Sequence, residues 1–190
     1  MNLIATKLII LVNILTYCAL HYLNTPLREY ALFNPSVSLA SYNFLYFIVP
    51  SFSHYYFLHL VSNMISFYNT GKLLEQVMST RNFITLIFIL SILSKIIFII
   101  ISILFKNFLN FDYYYSHHYS LGFSGIVFGL RYFYYQYDDG PKLIYGMLVD
   151  SSKIIWFELF LASFLISNVS FFGHLSGILA AIVINNLSIN

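Results

Sequence analysis

The chain has 190 residues, 59% of them hydrophobic, 20% aromatic and only 8% charged, with a mean hydropathy of +0.78. That composition leaves too little polar surface for an ordinary water-soluble domain and points to an all-α, polytopic membrane protein, since a helix crosses a bilayer with about 20 apolar residues. The formal net charge of +2 is scattered, with no basic run to follow a phosphate backbone, so nucleic acid is excluded as a partner.

Six apolar segments separated by short polar connections are expected, within one domain over residues 1–190. The first, residues 3–23, is longer than a signal-peptide core and lacks a small-x-small cleavage site, so it reads as a retained anchor. Cys18 within it is the single cysteine, which forms no intrachain disulfide and reads as packing. Residues 24–50 read as a loop with a half-apolar tail over 42–49. Spans follow at about 54–74, 83–105, 121–136, 154–167 and 170–187, with a polar connector over 137–153 before the fifth. Neither inverted repeats nor a continuous polar path marks a channel or transporter.

Charge sets the orientation. With the N-terminus in the cytosol, Lys7, Lys72, Arg81, Arg131, Lys142 and Lys153 lie on the cytosolic side, Arg28 and Lys106 lie outside, and Lys95 falls within the third span. Spans two, four and six then enter from the outer side. His59, Ser124 and His174 should therefore sit at similar depth, about 8–10 Å below that surface at 1.5 Å per residue.

A hydroxyl and an imidazole need partners in hydrocarbon, so Ser124 in Gly122-Phe-Ser124-Gly125 and His174 in Gly173-His174-x-x-Gly177 mark a functional site. Gly125 and Gly129 on span four, and Gly173, Gly177 and Ala181 on span six, give small faces on which two membrane helices approach closely. The chemistry that fits is nucleophilic: Ser124 as nucleophile and His174 as its base, in a dyad without an acidic third member. Glu158, inside span five near the cytosolic end, reads as structural or snorkelling. His59 and Asn63, four apart on one helix face, offer N–H donors that with the Ser124 backbone N–H suit an oxyanion. Each feature has a plainer reading when taken alone: glycines that only pack helices, and a His59–Asn63 pair that bonds within the bundle. His54 reads as a solvated structural residue at the mouth of span two. His117-His118, preceded by Tyr113 to Tyr115, reads as interfacial aromatics, with no set of metal ligands around it. No cofactor and no metal is expected.

In order and spacing, Ser51-Phe-Ser-His54, His59-Leu-x-x-Asn63-Met64, Gly71 with Glu75, Gly122-Phe-Ser124-Gly125 and Gly173-His174-x-x-Gly177 resemble the rhomboid family of intramembrane serine proteases, over nearly the whole chain. The resemblance implies a six-helix core in which Ser124 and His174 form the dyad and His59 and Asn63 support the oxyanion. It also implies substrates that are single-span or polytopic membrane proteins, cleaved in or near a transmembrane helix after entering between spans two and five. Trp156-x-Glu158 and the run from Asn168 to Leu179 are most similar to endoplasmic-reticulum members, which implies a secretory-pathway membrane with the site facing the lumen or exterior. Two positions depart from the family pattern: Leu45-Tyr46 where an aromatic-Arg pair is common, and Ala181 where glycine is usual. The chain stops just after span six, so the cytosolic ubiquitin-binding tail of some relatives is not expected. A catalytically inactive rhomboid that binds membrane clients for quality control is the second function class, and Ser124 with His174 favours the first. The sequence assigns no oligomeric state.

Overall fold

A computed structural model of the chain describes residues 3–23, 25–138, 140–144, 146–165 and 170–188. The long helices are α1 (Ile4–Tyr22), α4 (Phe57–Met78), α5 (Thr80–Leu109), α6 (Ser124–Tyr137), α7 (Ser151–Leu165) and α8 (Phe171–Ser188), and two short ones, α2 (Pro35–Ala40) and α3 (Leu45–Phe52), lie between α1 and α4. These six long helices fall on the six expected spans. Asn168 and the expected end of span five, residues 166–167, lie outside the described residues.

The helices depart from the sequence reading by a few residues at several ends, and three regions call for comment. Residues 24–50 are folded rather than open: Asn34 Oδ1 accepts the Val37 N–H at 3.1 Å and Pro35 follows at the first helical position, which starts α2. Helix α6 begins at Ser124, not at 121, because Gly122 has φ +118, a conformation that keeps the preceding chain out of the helix. The connector over 137–153 carries a small antiparallel hairpin, β1 (Lys142–Ile144) on β2 (Met147–Val149), with Lys142 opposite Val149, and α7 starts at Ser151 rather than 154.

Helix α6 is central. It packs most extensively on α8 and also on α4, α5 and α7, while α5 backs α8 and α1 leans on α4. The main core gathers Phe67, Phe83, Leu90, Phe123, Leu130, Ala180 and Ala181, all fully buried. Phe67 lies 5.0 Å from Phe123, edge to face, and stacks on Phe83 at 6.1 Å. Leu8 and Leu15 on α1, Phe88 and Ile100 on α5, and Phe160 and Phe164 on α7 are exposed, an apolar outer surface suited to lipid tails. In such a solvent these cores gain from close packing, since lipid is as apolar as the side chains.

Two carboxylates, Glu75 buried and Glu158 half-buried, tie the bundle. Glu75 of α4 accepts the Ala5 N–H at 2.8 Å, the Thr6 N–H at 2.9 Å, the Thr6 hydroxyl at 2.7 Å and the Thr80 hydroxyl at 2.9 Å. It thereby satisfies two of the amides that α1 leaves open at its N-terminus. Glu158 of α7 accepts the Tyr135 hydroxyl at 2.7 Å and lies 3.1 Å from the Arg131 guanidinium, which joins α7 to α6. Among the described residues its partners are these two side chains of α6 and not Ser124 or His174.

Candidate active site

The site is assembled where α4, α6 and α8 begin. Ser124 is the first residue of α6, His174 the fourth of α8 and His59 the third of α4. All three thus stand in first turns, rather than the turn and a half inside their helices that the span boundaries implied. His174 Nε2 lies 2.9 Å from Ser124 Oγ. The imidazole is 6% exposed as part of His174 and stacks on Phe128 at 4.3 Å and 23°. Phe128 is four residues beyond Ser124, one turn along the same face, so one helix supplies both the hydroxyl and the plate that orients the ring. His174 Nδ1 has no hydrogen-bond partner among the described residues.

The approach of the two helices depends on glycine. A methyl on Gly125 would lie 3.1 Å from the Gly173 carbonyl oxygen, one on Gly129 would lie 2.8 Å from that of Gly177, and one on Gly177 would collide with the Gly125 carbonyl. The small faces of spans four and six are therefore in contact, and Ala181 is fully buried in the same seam.

The segment entering Ser124 is pinned from two sides. Phe33 and Ser120 exchange hydrogen bonds of 2.8 and 2.9 Å, and the Gly122 N–H reaches the Pro50 carbonyl of α3 at 2.9 Å. Gly122 also lies against His59, where a side chain would come within 2.8 Å of the ring.

His54 departs from its expected role as a solvated residue. It is 1% exposed, precedes α4 and turns back over it, with Nε2 at 3.2 Å from Asn63 Nδ2 and 3.4 Å from the Phe123 N–H. A backbone N–H only donates, so Nε2 is an acceptor, the ring proton is on Nδ1 and Asn63 presents its NH2 group. Asn63 therefore reaches the Ser124 segment through His54, whereas the sequence spacing aimed it straight at the pocket. His59 is half-buried, with its ring 5.1 Å from that of His54. The Ser124 N–H belongs to the amides that α6 leaves without an intrahelical acceptor.

The sequence reading had no place for Phe128 and gave Ser170 only as the start of span six and part of a motif; its hydroxyl accepts the Gly173 N–H at 3.1 Å and caps α8. The Ser-x-x-Gly spacing ahead of an apolar run was the available signal. His118 is more than an interfacial aromatic, since its Nε2 lies 3.0 Å from the Ser170 hydroxyl. Among the described residues no cluster of His, Cys, Asp and Glu could hold a metal.

Comparison with known proteins places this arrangement. The model of the Rhomboid domain matches residues 42–189. The chain belongs to the rhomboid family. It is 30% identical over 151 residues to Rhomboid-like protein 14, mitochondrial, of Arabidopsis thaliana, a match that covers 80% of this chain and 45% of that protein. It is 30% identical over 126 residues to Rhomboid-related protein 4 of Mus musculus, covering 66% and 40%, and 25% identical over 177 residues to Rhomboid-like protein 15 of Arabidopsis thaliana, covering 88% and 44%. This rhomboid thus spans less than half the length of these curated relatives. Family membership and the apolar helices make it a membrane protein.

Proposed function

We propose that this rhomboid is an intramembrane serine endopeptidase that uses Ser124 and His174 as a dyad. The observation that carries the reading is the 2.9 Å contact between His174 Nε2 and Ser124 Oγ at the apposed starts of α8 and α6. Ser124 Oγ attacks the scissile carbonyl carbon while its proton passes to His174 Nε2. The carbonyl oxygen becomes an oxyanion, which the Ser124 N–H and the half-buried His59 are placed to receive, with Asn63 holding His54 and hence the backbone at Phe123. Collapse of this intermediate breaks the C–N bond, His174 returns the proton to the departing amine, and Ser124 is left as an acyl ester. Water, deprotonated by the same imidazole, then releases the acid and regenerates the hydroxyl.

Helix length supports a recessed site. The 14 residues of α6 rise about 21 Å against a hydrocarbon core of roughly 30 Å, too short to reach both surfaces, which leaves room for a start below one of them. The substrates are single-span or polytopic membrane proteins, whose helix end enters laterally between α4 and α7. Helix α7 packs chiefly on α6 and α8, which leaves its α4 side available for such entry. The N-terminus is cytosolic and the site faces the lumen or exterior, as the distribution of Lys and Arg favours. The compartment is the endoplasmic reticulum or another secretory membrane, a placement that rests on Trp156-x-Glu158 and the run from Asn168 to Leu179. The mitochondrial name of one relative supports the competing placement, and subcellular fractionation separates the two. An inactive, client-binding rhomboid shares this fold, but it has no use for a hydroxyl and imidazole held in contact.

Reconstituted into liposomes with a single-span reporter, the full chain cleaves the reporter and Ser124→Ala does not. Equal turnover by both refutes the assignment.

A further inference from the structure

Ser170 joins the start of α8 to the loop that leads into α6. Its hydroxyl accepts the Gly173 N–H at 3.1 Å, and its carbonyl accepts the His174 N–H at 3.1 Å, the first hydrogen bond of α8. The first turn of α8, and the direction in which His174 leaves it, are therefore set by Ser170. The hydroxyl keeps its O–H and a second lone pair, and His118 Nε2 lies within hydrogen-bond reach of it at 3.0 Å. His118 is itself fixed. Its ring stacks on the buried Phe98 at 5.8 Å and 13°, and its carbonyl accepts the Asn34 side-chain N–H at 3.0 Å.

We propose that His118 is a positioning residue for His174: by holding the Ser170 hydroxyl it fixes the cap of α8, and with it the approach of the imidazole to Ser124. It lies six residues before Ser124, on the segment that Phe33 and Pro50 pin through Ser120 and Gly122. One short stretch of chain thus positions the hydroxyl directly and the imidazole through the cap, so the two halves of the site keep their register. The consequence for turnover rests on the protease reading above, whereas the consequence for α8 does not.

Two readouts separate these parts. His118→Phe keeps a ring to stack on Phe98 and removes the hydrogen bond; His118→Gln restores an amide nitrogen at similar reach. In the detergent-solubilised full chain, amide exchange at Gly173 and His174 is expected to quicken about five- to tenfold in His118→Phe and in Ser170→Ala, the range for a lost helix cap. The double variant should exchange no faster than Ser170→Ala alone, and His118→Gln should return to within about twofold of wild type. Labelling of Ser124 by a fluorophosphonate should fall and recover in parallel, with little change in the unfolding midpoint. Wild-type exchange in His118→Phe, or effects of the two substitutions that multiply, overturns the proposal. If exchange behaves as expected while wild-type Ser124 takes no label, the positioning stands and the protease reading fails.

Discussion

Gly177 of α8 meets Gly125 of α6 backbone to backbone, so closely that a methyl on Gly177 would collide with the Gly125 carbonyl. The obstacle is main chain, which cannot rotate aside, so the helices must separate to admit it. Gly177→Ala should destabilise by about 2–3 kcal/mol and cut Ser124 reactivity strongly. Gly125→Ala, whose methyl meets the Gly173 carbonyl at 3.1 Å, should cost less. Denaturant titration and labelling rates of the two variants check the ranking, and a Gly177→Ala chain as stable and reactive as wild type contradicts it.

Phe128 acts on the imidazole rather than on the seam. Its ring stacks on His174 at 4.3 Å, and such a pair contributes about 0.5–1.5 kcal/mol beyond burial. Phe128→Leu should slow labelling of Ser124 about three- to tenfold, while Phe128→Tyr, which keeps the ring, should stay near wild type. Equal rates for Leu and Tyr would remove the stack from the account.

Glu75 fastens α1 from 70 residues away, with its carboxylate only 4% exposed and four hydrogens directed at it. Glu75→Ala leaves the Ala5 and Thr6 donors buried without an acceptor and should cost roughly 2–3 kcal/mol. Glu75→Gln, which keeps one carbonyl oxygen, should cost about half as much. Unfolding midpoints test this, and a neutral Glu75→Ala would show that α1 is held by its apolar face alone.

His118 gives the stability of the outer loop a pH dependence. Burial holds its imidazole below the ordinary value of 6.5, so the unfolded chain takes up the proton first. Stability is full above that value and is lost as pH falls through it toward the lower folded value. Tyr113 and Tyr114 face the ring at 5.8 and 5.6 Å, with Asp112 and His117 on the same turn and Lys95 of α5 over the Phe33 ring. Asp112 acts in a different window. The Ser116 hydroxyl and the Lys106 ammonium hold its carboxyl below the usual 3.8, so its contribution is present above that value and lost only below it. Between about pH 7 and pH 5, His118→Gln should flatten the fall in unfolding midpoint; identical slopes would exclude His118 as the source.

The spans were legible because apolar runs punctuated by Pro, Gly and charge state their own length. The pairing of α6 with α8 was legible too, since Gly125, Gly129, Gly173 and Gly177 recur at helical spacing on both. What the sequence did not carry is where the chain turns back. His54 lies ahead of the start of α4, so the four-residue spacing that puts His59 and Asn63 on one face says nothing of the ring that comes between Asn63 and Phe123. Glu75 was quoted only as part of a motif, because its partners, Ala5 and Thr6, are remote in sequence. Phe128 was within reach: one turn below a serine on the same face is where a stacking ring for its base belongs.

Activation of the Ser124 hydroxyl is the claim on which the chemistry depends, and a serine-reactive fluorophosphonate reads it without a known substrate. The wild-type chain should form one adduct, on Ser124, that is absent from Ser124→Ala and lost in His174→Ala. A wild-type chain that stays unlabelled under conditions that label an active serine protease, or a His174→Ala chain that labels equally fast, would contradict the account.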